Sequence, residues 1–279
     1  MASKHPWPEV VTLQHEPLLG AEDPPVFRIV NPAGRSAVLL TADHAGRAIP
    51  RRLGDLGLSD RQLASHGAWD LGVDGLGLLL AARLDAFLIL HNYSRLVIDA
   101  NRPPLAPDSI VSHCEQSVIA ANVTIDTAGR RRRLEELFHP YHRRIAAELE
   151  TRQGQARPSV LVTLHSFTPV LGEDVRPWHV GVLHGRDGRL ARRVREGLQR
   201  EPGLRVGDNQ PYAVSDASDH TLVVHGEGRR IPHVELEVRQ DLLASESGRQ
   251  AWARRLAGVL ENALAEGFPS HPEGPASIR

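Results

Sequence analysis

Cysteine is almost missing from this chain of 279 residues: Cys114 stands alone. That excludes an intramolecular disulfide and any metal site built from several thiolates. Aromatic residues make up only 4%, so a core has to be assembled mostly from Leu, Val, Ala and Ile. No apolar run approaches the roughly 20 residues that span a bilayer. The N-terminal stretch with His5, Pro6, Trp7 and Glu9 lacks the basic-then-apolar layout of a secretory leader, and a cytoplasmic address is the expectation. A surplus of one charge sign is missing too, with 33 basic against 34 acidic residues and a formal net charge of -1. Global electrostatics therefore gives no reason to expect nucleic acid or an anionic membrane as partner. The one basic run, Arg130 to Arg133, leads into an amphipathic segment and reads as a solvated first turn or a local ion-pair network. Finally, no glycine-rich phosphate loop follows the first strand. Gly72, Gly75 and Gly77 lie inside a helix candidate at the wrong spacing, which argues against a nucleotide-binding domain.

What is present is an ordinary globular balance, 41% hydrophobic and 24% charged residues, enough to bury a real core. The first 30 or so residues, rich in Pro and Glu, read as a lead-in arm (1–30). From Ser36 the pattern changes. Ala37 to Ala42 is a short apolar run ending in Asp43 and His44, as expected of a buried strand whose carboxyl end meets a loop. Similar runs are Ala86 to Leu90, Leu96 to Ile98, Ser159 to Leu164, His179 to Leu183 and His233 to Val238. Helical periodicity separates them, over Leu71 to Leu84, Leu134 to Leu149, Leu190 to Leu198 and Trp252 to Leu264. Alternating strands and helices, with several strands continuously apolar, predict an α/β fold: a mostly parallel, twisted, mixed sheet covered by helices on both faces. Neither a linker nor a repeat interrupts it, so 1–279 is read as a single domain, with 269–279 as a frayed tail.

Ligands of open α/β sheets bind beyond the carboxyl ends of the strands. The polar residues that end the apolar runs are Asp43 and His44; Asp99, Asn101 and Arg102; His165 and Ser166; and Glu235 and Glu237. His44 and His165 can each reach the same sheet edge, and a catalytic zinc takes three protein ligands while leaving a position for water. Two histidines then call for one carboxylate. Asp70 and Asp74 share a helix face at i and i+4; Asp70, at the helix mouth, is the first choice and Asp74 the second, although an aspartate there also suits an N-cap. Alternation puts Glu235 and Glu237 on one face of a strand, either as a solvated edge or with one of them as a general base. Arg95, Asn101 and Arg102 surround a short apolar segment, either as a clamp for an acidic substrate or as ion pairs such as Arg95 with Asp99. Trp178 and His179 are assigned to the core or the pocket wall. His139 and His142 are assigned structural places on a helix.

Several of these stretches, in order, resemble the N-formylglutamate amidohydrolase family. They are Asp43-His44-Ala45-Gly46-Arg47-Ala48-Ile49-Pro50, Trp69-Asp70-Leu71-Gly72, and Tyr93-Ser94-Arg95-Leu96-Val97-Ile98-Asp99-Ala100-Asn101-Arg102-Pro103-Pro104. His165-Ser166-Phe167-Thr168-Pro169, Gly207-Asp208-Asn209-Gln210-Pro211-Tyr212 and Glu237-Val238-Arg239-Gln240-Asp241 follow. The same segments are similar to the zinc carboxypeptidase site, and the resemblance implies a phosphorylase/hydrolase-like fold. It also implies that Asn101 and Arg102 hold a substrate carboxylate, that His165 is the last metal ligand, and that Glu237 rather than Glu235 is the base. Arg95 would then polarise the scissile carbonyl. One departure stands out: where carboxypeptidases place a glutamate three residues after the first zinc histidine, this chain has Arg47. Asp70 is assigned that role instead.

The resulting expectation is an enzyme with one Zn²⁺ on His44, Asp70 and His165, iron, cobalt and manganese being compatible with the same ligands. It would cleave the amide of a small acidic N-acyl amino acid, first of all N-formyl-L-glutamate. Asn209 and Tyr212 would close over the substrate. A second cation for a glutamate side chain is not singled out by the sequence, and Arg176 and Arg47 are the candidates. A related deacylase, a carboxypeptidase-like peptidase, and a non-catalytic binding protein that keeps the pocket are the rival readings.

Overall fold

A computed structural model describes residues 16–114, 116–265 and 267; the expected tail at 269–279 and the first half of the expected arm lie outside them. Seven strands form the central sheet: β1 Phe27–Val30, β2 Val38–Ala42, β3 Phe87–His91, β4 Val160–Phe167, β5 Val180–Leu183, β6 Val206–Asp208 and β7 His233–Arg239. Their spatial order is β1-β3-β2-β4-β7-β5-β6. The pairs β3–β2, β2–β4, β4–β7 and β5–β6 are parallel, whereas β1–β3 and β7–β5 are antiparallel. The sheet is thus mixed and mostly parallel, as expected. Four longer helices accompany it: α1 Val73–Leu84, α2 His139–Gly154, α3 Arg189–Gln199 and α4 Glu246–Ala265.

Strand alternation decides which residues meet which layer. Leu40, Leu88, Val162, Leu164, Val234 and Leu236 point to one face, where they pack with Leu76 and Leu80 of α1, Val194 of α3 and Leu256 of α4. Leu39, Ile89 and Leu161 point to the other, against Tyr141, Ile145 and Leu149 of α2. All are fully buried, and each Leu or Ile so removed from water contributes about 1.5–3 kcal/mol before entropy is counted. On the α2 face the side chains turn from apolar to polar towards the carboxyl ends. Leu161 is followed on that face by Thr163 and His165, and His233 by Glu235 and Glu237. Parallel register then sets Glu237 beside His165 and Glu235 beside Thr163.

Two expectations are corrected. The lead-in arm is not irregular to its end, because Phe27–Val30 forms β1, hydrogen-bonded antiparallel to β3 at the sheet edge. The apolar run Leu96–Ile98 is a turn, not a strand. It is buried in a second core with Tyr93, Ile110, Ile119, Leu137 and Phe138, beneath the loops. Side chains there satisfy the backbone that a neighbouring strand would otherwise have paired. Asn122 Nδ2 donates to the Leu96 carbonyl at 2.8 Å and Arg133 Nη1 to the Val97 carbonyl at 2.7 Å. Arg133, the last of the basic run, is therefore a buried structural residue, and Arg131 pairs with Glu135 one turn on. Among the described residues no helix is long and apolar enough to cross a membrane.

Candidate active site

The carboxyl ends of β2, β4 and β7 converge on one cleft of about 240 Å³. β2 ends at Ala42, so Asp43 and His44 leave the sheet in a turn. The His44 carbonyl accepts from Asp70 N at 2.9 Å, which ties the loop before α1 to the end of β2. Asp70 is not the helix N-cap, a position held by Gly72. Its buried carboxylate instead faces β4: Oδ2 lies 2.9 Å from His165 Nδ1 and accepts from Ser166 N at 3.2 Å.

His44, Asp70 and His165 offer one ligand atom each within 4.8 Å of one another. All three are at least 97% buried. His44 Nδ1, Asp70 Oδ1 and His165 Nε2 have no hydrogen-bond partner among the described residues, and such orphaned buried polar atoms cost free energy unless something fills the gap. His44 uses its other nitrogen on Asp99, Nε2 to Oδ1 at 2.6 Å, leaving Nδ1 at 3.6 Å from Asp70. A carboxylate behind the ring in this way is the usual means of fixing a metal-ligating imidazole. His165 Nε2 looks to Asp43 Oδ2 at 3.6 Å, and Tyr141 of α2 donates to Asp43 Oδ1 at 2.7 Å. Two imidazoles, one carboxylate and unpartnered atoms between them fit a divalent cation.

Asp74, the second choice as ligand, is excluded. It lies on the outward side of α1, about 40% exposed, with Arg28 at 3.7 Å as its ion partner. The helix turns it away although its spacing from Asp70 is i+4, because Asp70 precedes the helix and does not share its periodicity.

Electrostatics separates the acidic groups. Burial alone would raise Asp70 and Asp99, but His44 and His165 around the first, and Arg95 and His44 around the second, hold both well below the usual carboxylate range. Glu235 and Glu237 lie on the inner strand β7, not on a solvated edge. Burial pushes Glu235 up to about 7 and Glu237 to about 8. Glu235 accepts from Thr163 Oγ1 at 3.2 Å, whereas Glu237 Oε2, one residue pair nearer the carboxyl edge, has no partner among the described residues.

Arg95, Asn101 and Arg102 line the same cleft. Arg95 makes the ion pair weighed in the sequence as well as facing the cavity: Nη2 and Nε donate to Asp99 Oδ2 at 2.8 and 3.2 Å, and Nη1 lies 3.7 Å from Asp70. Asn101 Oδ1 accepts from His220 N and Thr221 N at 3.1 and 3.0 Å, so it fixes the far wall. Arg102 pairs with Asp108 and donates to the Ser218 carbonyl. Tyr212 also lines the cleft, with Arg176 Nη1 on its hydroxyl at 2.7 Å.

Other assignments fall away. Asn209 is not among the residues that line the cleft: it occupies a left-handed turn at φ 49°, and its Oδ1 accepts from the N–H of His184, the residue that follows β5. Asn tolerates that left-handed conformation better than most residues. Arg47 is exposed over the Trp69 ring, and Trp178 and His179 stand outside the cleft lining. His142 is buried, with Nε2 on the Ala100 carbonyl at 2.8 Å, a structural place beside Asn101. Residues without an assigned role in the sequence are Asp99, which anchors His44, Asp43, whose Oδ2 lies 3.6 Å from His165 Nε2, and His66, Ser218 and Asp219, which complete the cleft lining. Asp43 and Asp99 carried a signal as acids at the ends of apolar runs. His66, which burial pushes down to about 4, carried none, being a lone histidine in a loop.

The comparisons with known proteins agree with this geometry. The crystal structure of gene product Atu2144 from Agrobacterium tumefaciens is 36% identical and superposes with a TM-score of 0.86, over 89% of this chain and 98% of that one. N-formylglutamate amidohydrolase from Ralstonia eutropha JMP134, at 21% identity and a TM-score of 0.66 over 87% and 99% of the two chains, shares the fold. No curated protein sequence matches the chain. The profile of the N-formylglutamate amidohydrolases matches residues 36–244, a span that takes in every residue of the cleft, and with it the chain belongs to the N-formylglutamate amidohydrolase family of amide-bond hydrolases.

Proposed function

We propose that this protein hydrolyses the amide of a small N-acyl amino acid, N-formyl-L-glutamate first among them, with a divalent metal, best zinc, held by His44, Asp70 and His165. The observation that carries the reading is the buried triad with unpartnered atoms, opening on a cleft that also holds a desolvated glutamate. Held by these three residues, a zinc ion would supply a more acidic water molecule and a Lewis acid for an acyl oxygen.

The residues of the chain supply the rest. Glu237 takes the proton of the attacking water and hands it to the departing amine, and its partnerless Oε2 leaves it free to do so. Its elevated proton affinity in the free protein suits a group that must both accept and release a proton near neutral pH. Glu235, deeper and already bonded to Thr163, supports the strand instead. Arg95 stabilises the oxyanion, with its guanidinium held in orientation by Asp99. Arg102 and the Asn101 amide receive the α-carboxylate, a pairing for which a guanidinium fork is well shaped. Hydrogen bonds from Asn101 to the 220–221 backbone keep that end of the cleft rigid.

Elemental analysis of wild type beside His165→Ala tests the site: about one zinc per chain, lost in the variant, is the expected result. Formate release from N-formyl-L-glutamate, with Glu237→Gln as control, then tests the chemistry. Protein that neither carries metal nor takes up added zinc would overturn the proposal.

A further inference from the structure

Two arginines, Arg95 and Arg102, line the cleft and a third, Arg176, stands behind Tyr212 of that lining, and their charges are not equally spent. Arg95 is neutralised by Asp99 and Asp70. Arg102 is neutralised by Asp108. Arg176 differs. It is 96% buried, and the acidic group beside it is Asp174, 3.6 Å away, whose side chain is 71% exposed to water. Its Nε has no hydrogen-bond partner among the described residues. A guanidinium buried with so little compensation is costly, and it is a cost that a bound anion removes.

The neighbours of Arg176 connect it to the cleft. The guanidinium lies over the Tyr212 ring, 4.8 Å from its centre, and Nη1 donates to the Tyr212 hydroxyl at 2.7 Å. Tyr212 lines the cleft. Because its oxygen is already accepting from Arg176, the hydroxyl proton is available to a group in the cavity. Burial, with the charge of Glu237 nearby, keeps the phenol protonated. The backbone of Arg176 is fixed by a hydrogen bond to the Pro169 carbonyl, two residues after the end of β4. Arg176 is thus tied to the segment that follows the His165 strand, and Tyr212 comes from the loop after β6.

Resting on the proposed hydrolysis of an N-acyl amino acid, we infer that Arg176, acting through the Tyr212 hydroxyl, reads a second carboxylate on the substrate's side chain. Arg102 and Asn101 take the α-carboxylate, and the Arg176–Tyr212 pair makes the site selective for dicarboxylic N-acyl amino acids. Arg47, the other arginine considered for this place, stands exposed over Trp69, which is not part of the cleft lining, whereas Arg176 bonds to Tyr212, which is.

The test compares kcat/KM for N-formyl-L-glutamate and N-formyl-L-glutamine, which differ in charge and scarcely in shape. Wild-type protein is expected to prefer the glutamate by at least about tenfold, the scale set by leaving a polar site unmatched. Arg176→Met should collapse that ratio towards one, and Arg176→Lys should restore part of it. Tyr212→Phe removes only the hydroxyl and should reduce the ratio in the same sense, which keeps the question answerable if Arg176→Met does not fold. Equal use of the two substrates by wild type, or an equal loss on both in the variants, would overturn the inference while leaving the hydrolase reading intact. Hydrolysis of neither substrate by metal-loaded wild type would overturn both.

Discussion

Asp99 joins two parts of the site through one carboxylate, with Oδ1 on His44 and Oδ2 on Arg95. Asp99→Asn keeps the shape but can no longer anchor the ring as an anion, so metal affinity should fall about 10- to 100-fold. Competition titration with a chromophoric chelator measures this, and unchanged affinity would remove Asp99 from the site's support. Glu235 and Glu237 yield a pH prediction for metal-free protein. Burial raises both above the ordinary glutamate value of 4.5, to about 7 and about 8. Between 4.5 and 8 the folded state therefore binds more protons than the unfolded state, and stability falls as pH rises through that window. Lowered histidines such as His66 and His91, both near 4, act in the opposite sense, but only below about 6.5. Denaturant midpoints should thus decline from pH 6.5 to 9, and Glu237→Gln should flatten the decline. A wild-type midpoint that is constant or rising over this range would contradict the protonated assignment.

At the scale of elements, the site depends on loops pressed together at the carboxyl edge of the sheet. Gly46 follows His44 by two residues, and a Cβ built there would meet the Asn92 carbonyl carbon and oxygen at 2.1 Å. The same approach carries hydrogen bonds from Ala48 N to Asn92 O and from Ser94 N to Ala48 O. Gly46→Ala should therefore push the His44 loop away from the segment bearing Arg95, costing about 1–3 kcal/mol and much of the activity. Gly258→Ala in α4, with open space around the added methyl, should be neutral or slightly stabilising. Equal midpoints for the two variants in chemical denaturation would refute the close-approach argument. These loops also mark where the sequence could be read and where it could not. Ala37–Ala42 announces itself because a buried parallel strand is apolar on both faces, and the polar residues at its end stand out; His233–Val238 announces itself by a continuous apolar face of Val234, Leu236 and Val238. Period-two alternation was enough to put Glu235 and Glu237 together. Leu96–Ile98 carries the same apolar signal, yet it is buried by loops, and the hydrogen bonds from Asn122 and Arg133 that replace a strand partner come from 26 and 36 residues away. Asn209 follows a family motif, but its backbone conformation turns it out of the cleft. No local pattern could reveal that Arg176 and Tyr212, 36 residues apart, share a hydrogen bond.

For the whole molecule, the metal proposal is also a statement about folding. The ligands come from the end of β2, the loop before α1 and strand β4, positions that are brought together only when the sheet has formed. An ion bound there binds the folded state and stabilises it by RT ln(1 + [metal]/Kd), about 2.7 kcal/mol at a hundredfold excess over Kd. For a domain of this size each kcal/mol raises Tm by roughly 2–4 °C, so zinc added to metal-free protein should raise Tm by about 5–10 °C, and a chelator should reverse the rise. Asp70→Asn should abolish most of the shift, because it removes the anionic ligand between the histidines. Asp74→Asn should retain it in full, since Asp74 faces Arg28 on the outer side of α1. Both variants remove one carboxylate charge, but only Asp70 faces the two histidines, so a zinc-dependent shift lost in Asp70→Asn and kept in Asp74→Asn assigns the ion to that group. A zinc-dependent shift that survives Asp70→Asn would place the ion elsewhere and withdraw the triad from the mechanism.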